Sequence, residues 1–312
     1  MPIINTLAPV FLVIALGAAL RRSGFWSEQF ATNCNRLAYW VGLPCLLFKE
    51  IAVAPPAAGQ TFQVLAILLA GLAGCLGVAY LLAWLCRMPG GRVGTFVQAA
   101  YRGNLAYVGL AVVFYGFTVN AGDGGGAAAR QAAILVLAPM IPVYNITAVI
   151  VLLAKDRRMR WADLRRMGFQ IMTNPLLISC VAGLLYAALP VGLPTAVANT
   201  CDVIGRMALP LALLAAGGAI ASTHLGKGVG LALVAALIKT GVAPAVGYGV
   251  ARAIGAGPQE TAIAMILLAT PTAIVSYVMA DQLKGDGPLA AQAIVVSTLL
   301  SVFSLAVAVA MI

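Results

Sequence analysis

Two apolar runs of this chain carry the same punctuation. Pro44 and Pro210 each follow a leucine (Leu43, Leu209), and each lies 11 residues after an asparagine (Asn33, Asn199). From Pro44 to the break at Gly103-Asn104 is 60 residues, and from Pro210 to the break at Thr270-Pro271 is 61. The segment Asn104 to Gly109 then aligns with Pro271 to Ser276. Proline removes a helix hydrogen bond, and glycine and asparagine tolerate non-helical backbone. An apolar chain that repeats its interruptions between its halves is expected to be two related helical bundles whose broken helices meet.

The rest of the composition agrees. Hydrophobic residues make up 62% of the 312 residues, charged residues 9%, and the mean hydropathy is +1.00. Soluble domains average about 25% charged. The apolar residues come in blocks rather than stripes, as in membrane spans. The pattern predicts spans near 3–20, 34–53, 62–85, 94–117, 130–154, 169–189, 200–221, 229–252, 259–281 and 288–311. The expected fold is therefore an all-α polytopic membrane protein in one transmembrane domain, residues 1–312. About ten helices form a 5+5 inverted repeat (about 1–154 and 169–312), joined by a basic connection at 155–168, with spans 4 and 9 broken and crossed.

The net charge of +10 is sorted by side. Twelve of the 19 Lys and Arg residues fall in connections after odd-numbered spans: Arg21, Arg22, Arg87, Arg92, Lys155, Arg157, Arg158, Arg160, Arg165, Arg166, Lys227 and Lys284. This asymmetry predicts a cytoplasmic basic cluster and both termini external, and it argues against a nucleic-acid partner. Cys34, Cys45, Cys75, Cys86, Cys180 and Cys201 form no CxxC pair and read as small apolar side chains, with no metal expected. The glycine run Gly122 to Gly126 has no following Lys-Ser/Thr, so it is a loop and not a phosphate cradle.

Polar groups inside a span need partners or a wet cavity. Around span 4 these are Arg102, Gly103, Asn104 and Gly109; around span 9, Pro271 and Thr272. Asn145 in span 5 and Gln292 in span 10 are candidate lining residues, with helix-to-helix hydrogen bonding as the alternative. Lys239 in span 8 is a candidate for coupling or charge compensation, with snorkelling as the alternative. Asp202 and Arg206, at i and i+4, are expected to pair at the outer surface. His224 is the lone histidine and lies in a connection.

Several of these segments together resemble the auxin efflux carrier family, bacterial members in particular. The likeness rests on Arg102-Gly103-Asn104 followed by Gly109, Tyr144-Asn145, and Asn174-Pro175. It is completed by Leu209-Pro210 with Gly217-Gly218, the stretch from Lys239 to Pro244, and Pro271 leading to Met279-Ala280. The resemblance implies a scaffold bundle and a transport bundle, with Asn104 and Pro271 marking the crossover. It also implies carriage of small organic anions such as malonate- or malate-like carboxylates in the bacterial cytoplasmic membrane, with Asn104 as a carboxylate ligand. A bile-acid-type sodium-coupled anion symporter has similar architecture. No cofactor is expected; Na+ and H+ are both open as coupling ions, and so is a homodimer. An intramembrane enzyme would need a nucleophile with a base, or a ligand cluster, that the sequence does not offer. A non-transporting receptor or assembly partner is the alternative of another class.

Overall fold

A computed structural model describes residues 2–53, 58–119, 125–154, 165, 168–169, 172–226 and 228–312. Lys155, Arg157, Arg158, Arg160, Arg166 and Lys227 of the expected basic connections lie outside the described residues, as do Gly122 and Gly124 of the glycine run. Helix α1 (Pro2–Arg22) is followed by α2 (Glu28–Leu37), which runs through a π turn (Ala38–Gly42) into α3 (Leu43–Val53). Next come α4 (Ala58–Leu85) and α5 (Gly90–Tyr101). After a break, a π turn (Leu105–Gly109) leads to α6 (Leu110–Val119), and α7 (Gly125–Leu153) follows. The second half holds α8 (Pro175–Ala187), α9 (Thr195–Arg206), α10 (Ala208–Ala221) and α11 (Val229–Leu237). A π turn (Ile238–Val242) joins α11 to α12 (Ala243–Ala253); α13 (Pro258–Leu268), α14 (Val275–Gln282) and α15 (Gly287–Val309) complete the chain.

Helix is found in all ten apolar windows. Six stretches are long and apolar enough to cross a bilayer: Ile3–Arg22, Thr61–Leu85, Gly126–Leu153, Thr195–Ala221, Val229–Ala253 and Gly287–Val309. The other windows hold helices that are shorter or interrupted. Leu12, Phe62, Trp84, Phe303 and Val307 are all more than 60% exposed, as side chains facing hydrocarbon would be. Local chemistry sets the helix starts. Ser27 accepts from the Phe30 amide at α2 (3.1 Å). At α8, Asn174 accepts from the Leu176 amide (2.9 Å) and Pro175 takes the first position.

Pro44 and Pro210 each sit beside an interruption, as the sequence expectation has it: a π turn before Pro44, and the turn at Met207 that separates α9 from α10 before Pro210. Pro44 is the second residue of α3, directly after the π turn Ala38–Gly42. The widened turn shifts the bonding register, so the missing N–H costs little. Pro244 stands in the same relation to the π turn Ile238–Val242. Pro210 lies in the first turn of α10, and α9 stops at Arg206, the residue whose carbonyl a helical Pro210 could neither bond nor clear.

Two groups of helices result. In one, α1 lies along α10 and α3 lies along α8. In the other, α4 packs on α12 and α13, α5 on α7 and α11, and α15 on α11 and α14. Glycine permits the closest approach in the first group. A Cβ on Gly17 would sit 2.1 Å from the Leu214 carbonyl oxygen, and one on Gly217 would sit 1.9 Å from that of Ile14. Main chain therefore touches main chain, the geometry that small residues allow between helices in lipid.

The expected Asp202–Arg206 pair forms (2.6 Å) and extends further. Lys49 on α3 reaches Asp202 at 2.8 Å and Glu50 at 3.8 Å, while Arg130 on α7 is 4.0 Å from Glu50. Five of the chain's scarce charges thus form one network across α3, α7 and α9.

Candidate functional site

The two breaks meet. Helix α5 stops at Tyr101, and Arg102 to Asn104 run non-helically before the next turn. Helix α13 stops at Leu268, and Pro271 to Ala273 run non-helically before α14. Gly103 and Thr272 form an isolated antiparallel bridge. The Asn104 amide donates to the Pro271 carbonyl (2.8 Å), and the Ala273 amide donates to the Arg102 carbonyl (2.8 Å). Four half-helix ends converge on this bridge: the carboxyl ends of α5 and α13, and the amino ends of the π turn at Leu105 and of α14.

Each interrupted segment finds substitutes for the helix bonds it gives up. The Thr272 hydroxyl donates to the Ala99 carbonyl (2.8 Å), and the Thr272 amide donates to Ser297 Oγ (2.9 Å). The Thr270 hydroxyl bonds back to the Leu267 carbonyl (2.7 Å), and the Gly109 amide bonds to the Asn104 carbonyl (3.0 Å). An unsatisfied backbone group in hydrocarbon costs several kcal/mol, so this set is what makes two broken helices tolerable. The glycines are required by space. A Cβ on Gly103 would lie 2.6 Å from Thr270 Oγ1 and 3.0 Å from Lys239 Cε. On Gly109 it would meet Leu267 Cδ2 at 2.9 Å and Thr270 Cγ2 at 3.0 Å.

Arg102, 5% exposed, points its guanidinium away from the bridge. It donates to Asn145 Oδ1 on α7 and to Met279 Sδ on α14 (2.8 Å). Asn145 therefore serves as the partner of Arg102. Lys239 does not snorkel: it is 0% exposed, and its ammonium donates to the carbonyl of Leu268. Gln292 is not at the bridge. It is buried at 4% exposure beside Gly226 and Gly228, about 7.5 Å along α15 from Ser297 by the rise of the helix.

Ser297 and Ser276 were not singled out from the sequence. Ser297, Ser301 and Ser304 share one face of α15, and that spacing was the available signal. Ser297 accepts from Thr272, and Ser304 reaches the Ala269 carbonyl (3.5 Å). The Ser276 hydroxyl, in the first turn of α14, is buried with no partner among the described residues, and so is the side-chain amide of Gln98 in the last turn of α5. Replacing Ser297 with alanine leaves the Thr272 amide buried without its acceptor. The expected loss is about 1–3 kcal/mol, read as a lower melting temperature in detergent.

A cleft of about 540 Å³ separates the two helix groups. One wall carries Arg21, Asn35 and Ser222, and the other carries Ile274 and Tyr277, with His224 at its edge. Ile274 adjoins Ala273, so the cleft ends one residue from the bridge. Arg21 holds its mouth together, donating to Ser222 Oγ (3.0 Å) and bridging to Glu28 (3.4 Å). Among the described residues, no group of three or more His, Cys, Asp or Glu is placed to hold a metal.

The profile of the family described as membrane transport protein matches residues 2–162 and 126–309, nearly the whole chain. No curated protein matches it. The chain belongs to this family, the auxin efflux carrier family of membrane transport proteins.

Proposed function

We propose that this auxin efflux carrier family member is a secondary active transporter of small organic anions, mono- or dicarboxylates, in a bacterial cytoplasmic membrane. It works by alternating access: the group containing the bridge rocks against the group built on α1, α3, α8 and α10. The observation that carries this reading is the bridge between Gly103 and Thr272, which places two helix amino ends and a strand-like main chain together inside a membrane protein. Helix amino ends carry partial positive charge and free amides, the chemistry that binds a carboxylate. Lys239 adds a positive charge against the bridge, Arg102 carries a second one held nearby by Asn145 and Met279, and Asn104 offers an amide side chain beside it.

Two further features support the reading. The helix pairings fit a two-fold duplication: span 1 on span 7 is matched by span 6 on span 2, while spans 3 and 8 pair with each other, as do 4 and 9. The lining of the cleft includes Arg21 and His224, which lie on the side that the basic connections are expected to place in the cytoplasm. An anion entering there meets Arg21 first and the bridge last.

The test is flux of radiolabelled mono- and dicarboxylates into liposomes containing the purified protein. Uptake of at least one carboxylate is expected, and Asn104→Ala should abolish it while the melting temperature stays within a few degrees of wild type. Full transport by the alanine variant would remove Asn104 from the site, and no flux across the panel would reject the anion reading.

A further inference from the structure

Lys239 has no role yet in this transport scheme beyond its charge. It sits in the π turn Ile238–Val242, wholly buried, with its stem against the bridge: Lys239 Cε is 3.0 Å from where a Cβ of Gly103 would be. Its ammonium donates to a neutral group, the Leu268 carbonyl at the carboxyl end of α13. That carbonyl is available because its usual helical partner, the Thr272 amide, is turned to Ser297. The ammonium thus occupies the negative end of a half-helix dipole, where a small metal cation coupled to transport would otherwise bind.

Among the described residues, no carboxylate lies beside it to balance it. From α4 the Cys75 thiol faces it, bonded to the neighbouring Ile238 carbonyl (3.7 Å). From α5 the charged neighbour is Arg102, engaged by Asn145 and Met279, and the Tyr101 hydroxyl is turned to the Tyr144 carbonyl (3.3 Å). Helices α11 and α15 contain no titratable side chain, and those of α12, Tyr248 and Arg252, are exposed. On α13 the one such group, Glu260, lies in the first turn, at the other end of the helix. Of the two cations at the bridge, Arg102 cannot release its proton and Lys239 can.

We propose that Lys239 is the proton carrier of the transport cycle: its amine holds one proton while the anion is bound at the bridge and returns unprotonated when the site is empty. A buried ammonium with one neutral partner lacks a counter-charge, and a carboxylate at Gly103-Asn104 supplies it. Proton and anion therefore strengthen each other's binding, reciprocally, and travel in the same direction. On release the N–H bond breaks toward water admitted to the bridge when the site opens, the electron pair stays on nitrogen, and the carboxylate leaves with its own charge.

This rests on the anion-transport reading, and the experiment separates the two. Liposomes are given radiolabelled malonate and malate outside, membrane voltage clamped with potassium and valinomycin. A gradient of about one pH unit, alkaline inside, should raise accumulation about tenfold for one coupled proton, and a sodium gradient should not. Lys239→Met should lose the response to the pH gradient and, with one charge that holds the anion removed, exchange external for internal label more slowly. Lys239→Arg keeps a fixed charge and should exchange faster than the methionine variant without responding to the gradient; it serves if the methionine variant does not fold. Wild-type accumulation that ignores the pH gradient, or a variant that still accumulates with it, overturns the proton role alone. Absence of both uptake and exchange for wild type overturns the transport reading, and this role with it.

Discussion

Gly217→Leu is expected to leave no folded protein to purify. Even the first side-chain carbon at this position would lie 1.9 Å from the Ile14 carbonyl oxygen and 2.8 Å from the Ala18 nitrogen. Both obstacles are main chain of α1, so no rotamer change relieves them, and α1 and α10 must move apart. These helices form one of the closest pairings in the molecule, and separating them forfeits packing all along their length. A loss above about 4 kcal/mol is expected, beyond what most single substitutions cause. Its neighbour supplies the control. A Cβ on Gly218 would meet Ala31 Cβ at 3.6 Å, an ordinary contact. Gly218→Ala should therefore leave the melting temperature and the elution profile in detergent near wild type, while Gly217→Ala lowers both yield and melting temperature. Equal behaviour of the two alanine variants would contradict the main-chain contact between α1 and α10.

Gly103→Val should disable the site while sparing most of the fold. Its added carbons fall on Thr270 Oγ1 and Lys239 Cε, at 2.6 and 3.0 Å for the first of them. Thr270 is fully buried and held to the Leu267 carbonyl, so it yields only by breaking that bond. The bridge must open, exposing the Asn104 and Ala273 amides that now have carbonyl partners at 2.8 Å. Overpacking of this kind costs about 1–3 kcal/mol, and because it acts at the crossover, carboxylate flux should fall at least about tenfold. Gly109→Ala is the milder comparison. Its neighbours at 2.9 and 3.0 Å are methyl ends of Leu267 and Thr270, of which the leucine can turn. Undiminished flux in Gly103→Val would show that the bridge is not where the anion is held.

What the sequence determined by itself is the class of molecule and the places where its helices fail. Apolar block lengths are dictated by bilayer thickness, so the windows could be read without any knowledge of tertiary contacts. Gly103-Asn104 and Thr270-Pro271 were legible because proline, glycine and asparagine act on their own backbone. The same local logic places interruptions at Pro44 and Pro210 but does not tell their kind, a π turn before the first and a single turn residue, Met207, before the second.

Tertiary structure alone decided the partners. That Arg102 would turn to Asn145 and Met279, that Lys239 would cap α13, and that Ser297 would take the Thr272 amide are outcomes of which half-helix lies against which. Gln292 lies beside Gly226 and Gly228 with its Oε1 buried and unpartnered among the described residues, so a polar side chain in a span announces a need and not where, or whether, it is met. Gly217 differs from Gly218 only in the direction it faces, and direction is set by the helix packed against it. Local chemistry propagates over a turn or two; a hydrogen bond between residues 102 and 273 exists only once the whole chain has brought them together.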